Sequence, residues 1–338
     1  MGMMWKVAPA LACGNAMIFK PSECTPITAP HIAHLFRDVL PPSLLQVLVG
    51  SGSVAETLLS HPDIHKVSVT GSLETGKAVA RQATSTFKRV TLELGGKSPL
   101  LVFRDADMDS ASRVAIDGNF VNNGEVCSNC TRIYAENTCI DEFVDRVLTH
   151  LETLPLQTGD NMDPVIKMGP LMMNPFHPTQ HFDRVKGLID RAKKDPNVGL
   201  LWGGNCFQSS QGAFFCEPTV FVAYSDEAEI CQTEVFGPVM TVLAFDTEQE
   251  AITRANASIY GLAAGVMTRD LARAHRVAKQ LQAGTVWINN WNLTPLEVGF
   301  GPYKQSGYGK ELGMQALECY SQVKSVYVEM GAVRDFEE

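Results

Sequence analysis

Short apolar runs alternate with amphipathic ones along most of this chain, and that alternation restricts the fold more than any other feature. Ala16-Met17-Ile18-Phe19, Leu45-Gln46-Val47-Leu48-Val49, Val67-Ser68-Val69 and Val90-Thr91-Leu92 read as strands, with helices expected near 26–39, 53–60 and 74–84. Residues 98 to 300 repeat the character. Helices are expected near 108–122, 140–154, 178–195, 247–257 and 270–281, and strands at 98–103, 131–136, 198–202, 218–222, 238–244, 261–267 and 284–288. Strand–helix–strand order argues for an α/β fold with parallel sheets covered on both faces. Such sheets bind ligands beyond the carboxyl ends of their strands. The stretch 155–177, rich in Pro, Gly, Met and Asp, reads as a surface excursion. Cys319 to Val328 alternates like a late strand suited to pairing with another subunit.

The 338 residues suffice for two domains with sizeable cores. A net charge of −9 argues against nucleic acid as a partner, since phosphate binding needs a basic surface. Nine irregularly spaced cysteines suggest free thiols in a reducing compartment rather than a disulfide framework. Lys6 and Pro9 break the opening apolar run, so it does not read as a secretory signal. No stretch reaches the roughly 18 apolar residues of a membrane-spanning helix. A cytoplasmic protein without membrane contact is the expectation.

Chemistry concentrates in two stretches. In Asn122-Asn123-Gly124-Glu125-Val126-Cys127-Ser128-Asn129-Cys130, Cys127 occupies a polar turn before an apolar strand. Free backbone amides there are expected to lower its pKa and favour the nucleophilic thiolate, although a merely solvated thiol fits too. In Thr91-Leu92-Glu93-Leu94-Gly95-Gly96-Lys97-Ser98-Pro99, one carboxylate stands in an apolar strand. Burial there would raise the Glu93 pKa towards the range of a general base; an outward-facing glutamate is the alternative. Two glycine turns follow strands. Gly50-Ser51-Gly52 has only part of a dinucleotide fingerprint. Ser72, after Thr70-Gly71, could hold a pyrophosphate or simply cap a helix. A zinc site on Cys127-x-x-Cys130 lacks a second ligand pair, and no histidine is tied by a motif to Cys127 as a hydrolase would need, so no metal is expected.

E-L-G-G-K-S-P and G-E-V-C together, with Glu93 and Cys127 34 positions apart, resemble the aldehyde dehydrogenase family. The resemblance runs from Trp5 to about Met330. It implies two parallel-sheet α/β domains: a partial NAD-binding domain at 1–95, a catalytic domain at 96–315, and a C-terminal strand and tail at 316–338 for oligomerisation, as in a homotetramer. It implies Cys127 as nucleophile and Glu93 as base, with NAD as cofactor. Lys20 and Glu23 in Phe19-Lys20-Pro21-Ser22-Glu23 would hold the adenosine ribose, where a carboxylate disfavours a 2′-phosphate. Ser72 would meet the pyrophosphate. In Glu234-Val235-Phe236-Gly237-Pro238, Glu234 would hold the nicotinamide ribose and Phe236 would pack near the ring. Phe300-Gly301-Pro302-Tyr303-Lys304-Gln305-Ser306-Gly307 resembles a further family motif, with Pro302 replacing a glycine.

Within the family, the C-S-N step after Cys127, Leu296-Glu297-Val298 and Ser321-Gln322-Val323-Lys324 resemble members that act on betaine aldehyde and 4-trimethylaminobutyraldehyde. A pocket of Trp5, Trp291, Glu297 and Phe300 is expected for an amino- or trimethylammonio-aldehyde, since aromatic faces and a carboxylate suit a quaternary ammonium. Core tryptophans and a solvated glutamate are the competing reading. The family's oxyanion asparagine precedes the W-K pair, so the resemblance also implies a shortened N-terminal part. A catalytically silent, structural or regulatory form is therefore the alternative to an active enzyme. Cys130 stands where similar members carry glycine, either as a resolving thiol for Cys127 or as a small packing residue.

Overall fold

The structure is a computed structural model, and it describes residues 2–153 and 168–331. Residues 154–167, most of the expected excursion at 155–177, lie outside the described residues. The chain opens with helix α1 (Gly2–Ala12), strand β1 (Met17–Phe19), α2 (Thr28–Phe36), β2 (Leu45–Val47), α3 (Gly52–Ser60), β3 (Lys66–Thr70), α4 (Leu73–Thr84) and β4 (Arg89–Glu93). Then come β5 (Pro99–Val102), α5 (Met108–Phe120), β6 (Arg132–Glu136), α6 (Ile140–Glu152), α7 (Gln180–Ala192), β7 (Val198–Trp202), the hairpin β8 (Cys206–Gln208) and β9 (Phe214–Cys216), and β10 (Thr219–Ala223). The remainder is α8 (Glu229–Gln232), β11 (Val239–Phe245), α9 (Glu248–Asn256), β12 (Tyr260–Gly261), β13 (Ala263–Met267), α10 (Leu271–Gln280), β14 (Thr285–Ile288), β15 (Tyr303–Lys304), β16 (Gly307–Tyr308) and α11 (Gly313–Tyr320).

The central element is a seven-stranded sheet in the order β14-β13-β5-β6-β11-β10-β7. Its strands run parallel except β7, which pairs antiparallel with β10. The central strands are largely apolar because both faces are covered. Leu101, Tyr134, Leu243 and Val266 face the cluster under α7 and α9, while Leu100, Ile133, Val242 and Met267 face the cluster under α5 and α6. A three-stranded sheet, β16-β4-β3, and the parallel pair β1-β2 lie apart from it. Helices form where the pattern predicts them and start on polar caps: Ser72, Asp107, Thr247 and Asp270 each accept an amide three residues on.

The tail strand is expected to pair with another subunit; within this chain 321–330 is irregular, and Val323, Val326, Tyr327 and Val328 are exposed. Several other expectations are corrected. Residues 168–172 are no surface excursion. Met168 and Leu171 are buried, and the amides of Gly169 and Leu171 are taken by the Asn123 side chain and the Phe214 carbonyl. The cysteines are not all free, because β8–β9 register places Cys206 opposite Cys216 and the two are bonded. The apolar opening is a helix that buries Met3, Lys6, Val7 and Ala10.

Candidate active site

The chain crosses between the two larger sheets at Leu94–Ser98, and there the two singled-out motifs meet. β3 and β4 are parallel with Thr70 opposite Glu93, so the α4 cap at Ser72 and the E-L-G-G turn leave the same sheet edge. β5 and β6 begin in register, with Pro99 opposite Arg132, which brings the Cys127 loop beside that turn. Gly96 lies under it: a Cβ there would stand 2.5 Å from the Cys127 carbonyl oxygen. A Cβ on Gly95 would collide with the Glu234 carboxylate, which accepts the Gly96 amide at 3.0 Å. Ser306 buttresses the turn, donating to the Gly95 carbonyl at 2.7 Å while its oxygen accepts the Gly261 amide at 3.0 Å.

Glu93 ends β4 and is buried, not outward-facing. Neither carboxylate oxygen has a hydrogen-bond partner among the described residues. Burial pushes its pKa up to about 8, and the nearby Glu311 carboxylate adds to this while Lys6 and Lys310 oppose it. Lys6 is itself ion-paired with Glu311, 305 positions away, and donates to Ser68 at 3.0 Å. Nothing local in the sequence marks that buried pair.

Cys127 follows a sharp 3₁₀ turn, Val121–Gly124, in which Asn122 and Asn123 have φ of 54° and 58°. Gly124 continues this with φ +73°, and a Cβ there would run into the Gly237 backbone. Gly124→Ala is therefore expected to destabilise the protein by about 1–3 kcal/mol. Urea unfolding measures this, and an unshifted midpoint would show that the loop relaxes freely.

The Cys127 sulfur corrects the expected thiolate. Burial pushes its pKa up to about 12, and the Glu93 and Glu234 carboxylates push the same way. The Cys127 and Ser128 amides do favour the thiolate, as expected, but desolvation outweighs them. Cys130 is fully buried in a different cluster, under α5 with Ala115, Phe120 and Ile133, and the Asn119 amide donates to its carbonyl oxygen at 3.0 Å. That burial suits the packing reading of Cys130.

The remaining expected residues fall into three places. Lys20 donates to the carbonyls of Pro21 and Gly50 at 2.7 and 2.8 Å and stands 3.7 Å from Glu23. Ser72 caps α4 at an exposed sheet edge, accepting the Thr75 amide at 3.2 Å. Glu234 is half-buried, and burial raises its pKa against the Gly96 amide, Lys97 and Arg184. Phe236 adopts φ +52° two residues later. Trp5, Trp291 and Phe300 pack in one cluster with Cys127, the rings of Trp5 and Phe300 being 5.5 Å apart. Glu297 is exposed.

Three residues went unread in the sequence. Lys97 is buried with no partner for its ammonium among the described residues, and burial lowers its pKa to about 8. Glu125 and His181 meet beside the Cys127 loop at 2.9 Å. Among the described residues no helix is long and apolar enough to cross a membrane, and no cluster of His, Cys, Asp and Glu could hold a metal ion.

A buried acid and a cysteine loop thus meet over a diglycine turn, at a parallel-sheet edge beside a second acid, in an α/β fold. The aldehyde dehydrogenase family model matches residues 1–326, and the chain belongs to that family. It is 50% identical to a betaine aldehyde dehydrogenase of Mesorhizobium japonicum over 332 residues, covering 97% of this chain and 66% of that protein. The counterpart in Cereibacter sphaeroides is 48% identical over 330 residues, with the same coverage. A solved indole-3-acetaldehyde dehydrogenase in complex with NAD+ matches with a TM-score of 0.93 at 38% identity, over 98% of this chain and 66% of that one. The chain thus spans just under two thirds of the length of these relatives.

Proposed function

We propose that this chain oxidises an aldehyde to the carboxylate with NAD, Cys127 acting as nucleophile and Glu93 as base. One observation carries the reading: the buried, unpartnered Glu93 carboxylate and the Cys127 loop converge on the Gly95-Gly96 turn with Glu234. The Cys127 sulfur, once deprotonated, adds to the carbonyl carbon, and the Cys127 backbone amide donates to the resulting oxyanion. Loss of hydride from this thiohemiacetal leaves a thioester on Cys127. Glu93 then takes a proton from water as it attacks the thioester, the carboxylate leaves, and the thiol is restored.

The residues present fit a dinucleotide. Ser72 and the α4 N-terminus offer donors at an open sheet edge, and Glu234 rests where any Cβ on Gly95 would intrude. Lys20 and Glu23 would hold the adenosine ribose, Ser72 the pyrophosphate, Glu234 the nicotinamide ribose, and Phe236 would pack near the ring. When bound, NAD supplies the hydride acceptor. Calorimetric titration with NAD, followed by NADH absorbance with a panel of aldehydes, tests the reading. No binding overturns it, and binding without turnover favours the silent form.

We further propose a cationic, trimethylammonio substrate. Trp5, Trp291 and Phe300 present aromatic faces in one cluster with Cys127, and relatives about half identical to this chain bear the name betaine aldehyde dehydrogenase. The kcat/KM for a trimethylammonium aldehyde is expected to exceed that for its neutral tert-butyl analogue by about tenfold, in line with a desolvated cation–π contact. Equal values would sink the cationic pocket. The domain division near 95 and oligomer formation through the apolar tail 321–330 belong to the same proposal.

A further inference from the structure

Glu125, the acid of G-E-V-C, takes no part in the chemistry above, yet it is buried beside the cysteine loop. Its two carboxylate oxygens accept the Met172 amide at 2.9 and 3.2 Å, and Oε1 lies 2.9 Å from Nε2 of His181, within ion-pair distance but not aligned as a hydrogen bond. His181 stands in the first turn of α7, and its imidazole meets the Phe236 ring edge-on with centroids 6.1 Å apart. One turn along, Arg184 donates to the carbonyls of Glu234 and Val235 at 3.0 and 2.6 Å. Phe236 is held at φ +52°, a region a bulky residue occupies only when its surroundings fix it there. A single helical turn therefore grips both loops: the one carrying Cys127, two residues past Glu125, and the one carrying Glu234 and Phe236.

We infer that His181 is a positioning residue that couples the Phe236 loop to the Cys127 loop through Glu125. A displacement of the Phe236 ring presses on the imidazole, and the imidazole is seated against a carboxylate whose backbone leads directly into Cys127. The loops also touch where Gly124 packs on the Gly237 backbone, a second route that does not involve His181. The inference rests on reading Cys127 as the nucleophile, but its test requires no turnover.

The test is the rate of Cys127 alkylation by iodoacetamide, followed on the Cys127 peptide by mass spectrometry in the absence of cofactor. Wild type, Phe236→Ala, His181→Ala and the double variant form a cycle. Phe236→Ala is expected to change the rate by about threefold or more, and the same change is expected to vanish in the His181→Ala background. Phe236→Ala repeated on Glu125→Gln, which cuts the link from its other end, should lose the change as well and replaces the first cycle if His181→Ala does not fold. His181→Gln, able to donate to Glu125, should restore part of the coupling, which a purely space-filling role would not require. An equal change in all backgrounds would assign the coupling to the Gly124–Gly237 contact and overturn the inference, as would a Phe236→Ala variant with unaltered alkylation. Failure of NAD binding would defeat the proposed function and leave this result standing.

Discussion

Cys127→Ala is expected to abolish aldehyde-dependent NADH formation, with a loss on the order of 10³-fold or more. No other described thiol packs in the aromatic cluster with Cys127: Cys130, Cys139 and Cys231 are buried in the sheet clusters, Cys206 is bonded to Cys216, and the free Cys13, Cys24 and Cys319 are not part of that cluster. The substitution should leave the fold intact, because Cys127 lies in a half-buried loop rather than in a strand. Single-turnover NADH formation, alongside a melting curve, measures both halves of the expectation. A folded Cys127→Ala protein with wild-type turnover would remove Cys127 from the mechanism. The resting thiol, its pKa pushed up to about 12, should also alkylate slowly at neutral pH.

Glu93→Gln is expected to slow thioester hydrolysis by about 10²–10⁴-fold while slowing hydride release far less. Burst kinetics then separate the steps: NADH appears in one stoichiometric burst and stalls. Equal slowing of both phases would refute the role as hydrolytic base. The wild-type hydrolysis rate should rise with pH through about 8, where the buried carboxyl ionises, and that rise should be absent in the variant. Stability carries the opposite sign. The folded-state pKa lies above the ordinary 4.5, so the folded protein holds this proton to higher pH than the unfolded chain does. The associated stability is fully present below 4.5 and is lost as pH rises through about 8. Each unit of displacement is worth about 1.4 kcal/mol. Glu93→Gln should accordingly melt higher than wild type at pH 9 and show no such advantage at pH 4. Identical pH dependence in both proteins would mean that Glu93 is solvated.

Much of the fold could be read locally. A strand such as Leu100–Leu101 or an amphipathic helix such as α7 is set by periodicity within a few residues, and caps such as Asp107 or Asp270 mark where helices begin. The short elements were less legible. The hairpin β8–β9 and the two-residue strands β12, β15 and β16 hold too few residues to show a period, and each exists because a partner strand is already in place. The tail alternates like a strand, and no described strand of its own chain pairs with it.

The candidate site divides along the same line. Glu93 and Cys127 could be picked out because each stands in a short motif whose composition departs from its surroundings, and the family resemblance joined them. Motifs do not carry their own environment. The polar turn around Cys127 suggested a solvated thiolate, yet the folded chain encloses it with Trp5, Trp291 and Phe300 and sets two carboxylates nearby. Glu297 was read into the pocket, and the fold leaves it in solvent. His181 and Glu125, and likewise Lys6 and Glu311, are pairs formed between distant parts of the chain. The sequence by itself determined where most of the longer elements form and which side chains are candidates for the chemistry, because periodicity, capping and motif composition act over a few residues. Burial, and with it every displaced pKa and the pairing of remote charges, was decided only by the tertiary structure, since removing a group from water requires segments from across the chain to close over it.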